Sequence, residues 1–187
     1  DLKGVKFYID DIIIFGKDLK EHDLNVRAVM LRARENGIKF NSKKVQFTET
    51  SVKFFGHIFS KNNVRIDPAR IETITDIPVP TNKNDVQKFL GVVNYMRNFI
   101  PHLPKLTHNI RDLLKKDSEF VWQAQHQVEF ENLKCVIKDS ACCTLFDEKI
   151  PLELETDASS YVLGACLKQG ENIICYASRC LSDIEKE

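Results

Sequence analysis

Two runs of β-branched and aromatic residues, Val5-Lys6-Phe7-Tyr8-Ile9 and Ile12-Ile13-Ile14-Phe15-Gly16, stand on either side of Asp10-Asp11. That pattern predicts a tight β-hairpin with the two aspartates as its turn. The pattern then changes to a helical period. Asp18 and Glu21 have the spacing of a capping box, Leu24, Ala28 and Leu31 recur at helical intervals, and Gly37 is placed to end the helix. Short apolar runs at 38–40, 45–47 and 52–55, with Ile58 beyond a bend at Gly56, predict strands.

Asp67-Pro68 supplies an N-cap followed by proline at the first helical position, which predicts a helix to about Asp76. Pro78 and Pro80 interrupt it. Asn82 caps a longer helix whose apolar stripe is Val86, Phe89, Leu90, Val93 and Ile100. Pro101 and Pro104 close that segment. A short helix is expected over 110–116, and another over 125–138 with Val128, Leu133 and Ile137 in the core. Residues 152–156, 162–168 and 173–177 then alternate as three strands, with Gly170 and Asn172 in the last turn.

The 27 basic and 27 acidic side chains sum to zero formal charge, which taken whole argues against a polycation gripping nucleic acid. Their distribution changes that picture. Residues 1–116 hold 21 Lys+Arg against 13 Asp+Glu, a balance of +8, and residues 117–187 hold 6 against 14, a balance of −8. The first segment is the one suited to a polyanion. Hydrophobic content of 43% with 29% charged residues excludes wholesale disorder. No apolar run has the length of a membrane span, and Asp1-Leu2-Lys3-Gly4 is no signal peptide. The missing initiator Met gives the expectation of an internal piece of a longer polypeptide. Six cysteines, at 135, 142, 143, 166, 175 and 180, form no CxxC pair and no zinc-like spacing. They read as reduced, mostly buried small hydrophobes.

Two adjacent carboxylates at a hairpin tip repel one another unless a cation joins them, and Mg²⁺ takes one or two protein carboxylates with water and substrate phosphates. A bare Asp-Asp pair is most often a solvated turn. Its flanks change that reading: Tyr8-Ile9-Asp10-Asp11 in its apolar setting resembles the YxDD hairpin of reverse transcriptases, in particular those of gypsy-type LTR retrotransposons. Further blocks extend the resemblance. Gly37-Ile38-Lys39-Phe40-Asn41 with Lys44-Val45-Gln46-Phe47 is similar to the family's Gly-Leu-x-Leu-Asn and Lys-Cys-x-Phe. Phe54-Phe55-Gly56-His57-Ile58 is similar to Phe-Leu-Gly-His-Val. Phe89-Leu90-Gly91-Val92-Val93-Asn94-Tyr95-Met96-Arg97 is similar to Phe-Leu-Gly-Leu-x-Asn-Tyr-Tyr-Arg. Phe120-Val121-Trp122 and Ser140-Ala141-Cys142-Cys143-Thr144-Leu145 resemble the family's connection, with Cys142 where it has Pro. Leu154-Glu155-Thr156-Asp157-Ala158-Ser159 and Tyr176-Ala177-Ser178-Arg179 look like the opening of an RNase H domain.

The resemblance implies an α+β chain in four parts: the end of a polymerase palm with its primer grip (1–66), a helical thumb (67–119), a connection (120–150) and the first strands of an RNase H-like α/β domain (151–187). It implies RNA-directed DNA polymerase and ribonuclease H activity of a Pol polyprotein, with Mg²⁺ or Mn²⁺ as cofactor. Asp10 and Asp11 are the expected metal-binding catalytic residues of the polymerase, and Asp157 is that of RNase H. Tyr8, Phe55, Gly56, His57, Gln87, Gly91 and Tyr95 are expected to meet nucleic acid. Apart from the resemblance, the Phe55-Gly56-His57 turn reads as an ordinary bend. Gly91 reads equally as close packing against a neighbouring helix or as a face kept flat for a duplex. Lys83, Lys88, Arg97, Lys105 and Arg111 are candidate phosphate contacts. Expected partners are a primer–template duplex, deoxynucleoside triphosphates and the rest of the polyprotein, without a membrane, in the cytoplasm or a virus-like particle. The 187 residues alone are expected not to polymerise, because the family takes a third palm carboxylate from an upstream strand. Glu185 and Glu187 are not expected to be the second RNase H acid. The alternative function is a non-catalytic, nucleic-acid-binding remnant.

Overall fold

In the computed structural model, which describes residues 2–116, 118–139, 142–182 and 184–186, β1 (Val5–Tyr8) and β2 (Asp11–Ile14) form the expected hairpin. Tyr8 pairs with Asp11, so the turn is Ile9-Asp10 and not the Asp-Asp pair, and Asp11 opens the second strand. Ile9 has φ +50°, a left-handed conformation that strains a β-branched residue. Ser140, Ala141 and Glu187 of the sequence reading lie outside the described residues.

The chain divides into two units, Asp1–Lys61 and Asn62–Glu187. In the first, the hairpin is followed by α1 (Leu19–Glu35), closed at its start by a reciprocal box: Glu21 N–H donates to Asp18 Oδ1, and Lys17 N–H donates to Glu21 Oε2. Gly37, at φ +67°, ends it as expected, with Ile38 N–H returning to the Ala33 carbonyl. The buried face differs from the expected one. Val29 and Ala33 are buried, whereas Leu24 and Leu31 are about 60% exposed, because α1 carries apolar residues on more than one side. Residues 38–40 and 45–47 are not strands. Instead the Gln46 side chain donates to and accepts from the Lys53 backbone at 2.8 Å, standing in for a ladder partner. β3 (Ser51–Phe54) and β4 (His57–Ser60) make a second hairpin, with Phe54 opposite His57.

Gly16 joins hairpin to helix. A Cβ there would lie 2.3 Å from the His22 amide nitrogen and 2.8 Å from His22 Cα, and backbone cannot swing aside as a side chain does. Gly16→Ala should therefore lift the first turn of α1 and destabilise this unit by about 1–3 kcal/mol, seen as an earlier unfolding transition in denaturant. An unchanged midpoint would refute the contact.

The second unit holds the main core. β5 (Asn63–Ile66), absent from the sequence reading, pairs antiparallel with the two-residue β6 (Cys143–Thr144). α2 (Pro68–Thr75) starts on Asp67 as expected. α3 (Lys83–Tyr95) starts on Asn82, whose side chain accepts from Asp85 N–H. The Asp85 carboxyl is held below its usual range chiefly by the Thr81 hydroxyl and amide. Val86, Phe89, Leu90 and Val93 are buried as predicted. Ile100 is buried too, but beyond a 3₁₀ turn at Arg97–Phe99 and outside the helix. The short helix is α4 (His108–Asp112), two residues earlier than expected. Glu129 accepts from the Asn109 and Ile110 amides at 3.1 and 3.0 Å and so fixes its start. α5 (Ala124–Asp139) buries Phe130, Leu133 and Ile137, while Val128 faces solvent.

β7 (Glu153–Ala158), β8 (Val162–Gln169) and β9 (Asn172–Cys180) form an antiparallel sheet in that order. Asn172 pairs with Gln169, so the last turn is Gly170-Glu171. β7 is an edge with every residue exposed, Leu154 included. Of the cysteines, all free, only Cys143 is buried; Cys166 and Cys175 are half-buried, and Cys135, Cys142 and Cys180 are exposed, contrary to the expectation of mostly buried thiols. Burial pushes the Cys143 thiol up to about 11 and also raises Cys142 and Cys166, which disfavours their thiolates. Among the described residues no helix is long and apolar enough to cross a membrane.

Candidate active site and nucleic-acid interface

The first unit brings two hairpin tips together. Phe55 and Gly56, at φ +49° and +67°, form the β3–β4 turn, and the Phe55 ring lies 3.9 Å, centroid to centroid, from the ring of Tyr8 at the end of β1. His57 Nδ1 lies 2.8 Å from the Phe55 carbonyl oxygen, bracing the turn. Left-handed backbone at a non-glycine residue on each tip, Ile9 on one and Phe55 on the other, is strain of the kind that collects at functional sites. The sequence-predicted residues Tyr8, Asp10, Asp11, Phe55, Gly56 and His57 are thus one neighbourhood.

Asp10 and Asp11 are exposed, and their carboxylates have no hydrogen-bond or ion-pair partner among the described residues. Two adjacent hard-oxygen donors with unspent lone pairs fit a divalent cation that takes its remaining ligands from water and phosphate. No cluster of three or more ligating side chains is present among the described residues.

In the second unit, Gln87 and Gly91 are exposed and Tyr95 is half-buried on one side of α3. A Cβ built on Gly91 meets nothing within 4 Å. That removes close helix packing as the reason for the glycine and leaves an open face. Of the five candidate phosphate contacts, Lys83 donates to the Lys115 carbonyl, Arg111 to Thr107 Oγ1, and Lys88 pairs with Asp85. Arg97 and Lys105 are exposed and carry no such bond among the described residues.

Asp157 lies near the end of β7, opposite Gly164 of β8. It borders a cavity of about 250 Å³ lined also by His102, Glu155, Cys166 and Tyr176. His102, at φ +50°, sits against Gly164: a Cβ there would be 3.2 Å from His102 Nδ1. Sequence reading did not single out His102, and its only signal was its place between Pro101 and Pro104. Glu185 is committed elsewhere. It accepts from both Arg179 Nη atoms and from the Ser182 amide and hydroxyl, and Arg179 foremost holds its carboxyl far below the usual range. That is a clasp tying Arg179 of β9 to Ser182 just beyond it.

Residues 3–59 match the family model described as reverse transcriptase (RNA-dependent DNA polymerase), and residues 122–187 match that of the RNase H-like domain found in reverse transcriptase. Over 179 residues, 95% of its length, the chain is 33% identical to the retrovirus-related Pol polyprotein from transposon 297 of Drosophila melanogaster. Over 162 residues, 87% of its length, it is 34% identical to the Tf2-3 polyprotein of Schizosaccharomyces pombe. It spans only 17% and 12% of those relatives. The whole chain superposes with a TM-score of 0.86 and 21% identity on a solved foamy viral protease-reverse transcriptase in complex with RNA/DNA hybrid, covering 26% of that protein. A second structure of that enzyme, in complex with double-stranded DNA, gives 0.83 over 40% of its chain.

Proposed function

The chain is a reverse-transcriptase segment followed by the RNase H-like domain found in reverse transcriptase, of the transposon Pol type, and from that membership we propose that it supplies the catalytic hairpin, primer grip and thumb of a gypsy-type RNA-directed DNA polymerase. The observation that carries this reading is the contact of the two tips. Tyr8 against Phe55 sets a phosphate-approaching glycine turn beside a pair of uncommitted carboxylates. A polymerase needs that juxtaposition, since the primer 3′ end must be held where the metal-binding groups are.

In this reading Asp10 and Asp11 hold divalent cations, Mg²⁺ or Mn²⁺, which when bound lower the pKa of the primer 3′-hydroxyl and neutralise charge on the triphosphate. The residues of this chain hold and orient. Phe55 and Gly56 present backbone to the primer terminus, with His57 bracing the turn through the Phe55 carbonyl. The Gln87, Gly91 and Tyr95 face follows the groove of the primer–template, and Arg97 and Lys105 meet its phosphates without reading sequence. Asp157 is proposed as the first metal-binding acid of RNase H. The proposed division is palm end 1–66, thumb 67–119, connection 120–150 and RNase H start 151–187.

The test is a chimera in which this chain replaces the matching segment of the transposon 297 polyprotein. Template-directed primer extension with Mg²⁺ is expected from the chimera and not from the 187 residues alone; a folded chimera without extension would overturn the reading.

Gly91 separates function from stability. Glycine inside a helix costs about 0.5–1 kcal/mol relative to alanine, and here no packing contact offsets it. Gly91→Ala should raise the melting temperature of the chain while weakening its binding to a primer–template duplex. A variant that is stabilised and binds as tightly as the parent would remove α3 from the interface.

A further inference from the structure

Arg70, the third residue of α2, lies outside every group of residues so far assigned a role. Its Cζ sits 4.1 Å from the centroid of the Tyr95 ring, and Tyr95 is one turn along α3 from the open position at Gly91. The side chain is half-buried and pairs with no carboxylate among the described residues. Its Nε is cut off from solvent with no hydrogen-bond acceptor among the described residues. A guanidinium so placed has lost part of its hydration and has only the face of a tyrosine ring in return. A surface arginine with a purely solvated role would swing free. A structural one would find an oxygen acceptor, as Arg111 does in the Thr107 hydroxyl and Arg179 in the Glu185 carboxylate.

We propose that Arg70 is a duplex-binding residue: stacked on Tyr95 beside the open Gly91 face, its guanidinium meets a backbone phosphate of the nucleic acid. The inference rests on the reading of α3 as a duplex-facing helix and adds to it a residue from a second helix. The geometry suits arginine in particular. A planar fork can lie flat on a ring and still direct its Nη–H edges outward to two oxygens of one phosphate, whereas an ammonium is a point charge without a stacking face. Stacking also fixes the Tyr95 ring, so groove contact and phosphate contact are set by one interaction. Arg97 and Lys105, exposed and without a hydrogen bond or ion pair among the described residues, extend the same positive character past the end of α3.

The test is binding of a fluorescently labelled RNA/DNA hybrid by the 187-residue chain, followed by anisotropy over a range of KCl concentrations, with circular dichroism to check folding. Arg70→Gln should weaken binding by about 3- to 10-fold at low salt. The slope of log K against log salt should become shallower by about one phosphate contact. Arg70→Lys should keep the parental slope while losing part of the affinity, a split that a merely structural role would not produce. Arg70→Gln with parental affinity and slope, while Gln87→Ala and Gly91→Leu weaken binding, would overturn the role of Arg70 and leave the α3 interface standing. No binding by the parent chain, or parental binding by Gly91→Leu, would overturn both. Should Arg70→Gln fail to fold, labelling of the parent chain with an arginine-specific dicarbonyl decides the matter. Saturating duplex should protect Arg70, and unchanged labelling there refutes the contact.

Discussion

Replacing Asp10 or Asp11 by asparagine in the transposon 297 chimera should lower primer extension by about a thousandfold or more, with duplex binding little changed. Asparagine is nearly isosteric with aspartate and equally tolerant of turns, so the Tyr8–Asp11 pairing that closes the hairpin stays in place. What is lost is one anionic oxygen from a pair that has no other engagement among the described residues. Stabilisation of charge in a phosphoryl-type transfer is worth several kcal/mol per group, and about 4 kcal/mol corresponds to about a thousandfold in rate. Steady-state extension of a labelled primer at saturating template measures it, with anisotropy as the binding control. Activity within tenfold of the parent for both variants would mean that the Asp-Asp tip is a solvated turn. Duplex binding that survives both substitutions without any extension from the unsubstituted chimera would favour a nucleic-acid-binding remnant.

The parts of this fold that are legible in the sequence are the local ones. Asp18, Asp67 and Asn82 each cap the helix expected of them, because a cap is decided within three or four residues. The α3 stripe is legible because its apolar positions allow one orientation only. α1 allows several, and its spacing alone does not decide between Leu24 with Leu31 and the observed Val29 with Ala33. The pairing of β5 with β6 joins residues some eighty positions apart, through a strand of two residues too short to show any period. Gln46 acts as a strand edge by its side chain, which no backbone pattern encodes.

The site divides in the same way. Asp10-Asp11 and Phe55-Gly56 are visible as motifs, yet their contact through Tyr8 is tertiary. Gly91 is visible as an anomaly, but a helical period says which side it occupies and not whether anything lies opposite; the open space there decides the matter. Arg70 has no sequence signal, since an arginine in the first turns of a helix is ordinarily solvated. Its stack on Tyr95 and its unanswered Nε exist only in three dimensions. Gln169 is similar: a polar residue, fully enclosed because it bonds the Asp147 and Ile150 backbone.

Phe130→Ala should destabilise the second unit by about 3–5 kcal/mol, the usual cost of emptying a buried aromatic site. The ring is wholly buried and lies 4.7 Å from Phe89 of α3 and 5.9 Å from Trp122, with Lys134 Nζ 4.2 Å above it. Lys134 in turn donates to the Ile77 carbonyl at 2.7 Å. Removing the ring therefore opens a cavity where α3 meets α5 and takes away the platform that holds a lysine against the segment after α2. Collapse around the gap is limited, because Phe89, Leu133 and Ile137 belong to rigid helices. A loss of this size should lower the melting temperature by more than about 10 °C for a unit of this length. Val128 on the same helix supplies the control. Its apolar type and spacing place it in the core by sequence, but 68% of its surface is exposed, so Val128→Ala should stay within about 0.5 kcal/mol of the parent. The two substitutions remove apolar side chains two residues apart. Equal effects would mean that the buried face of α5 is wrongly placed, and with it the packing that holds the open side of α3 outward.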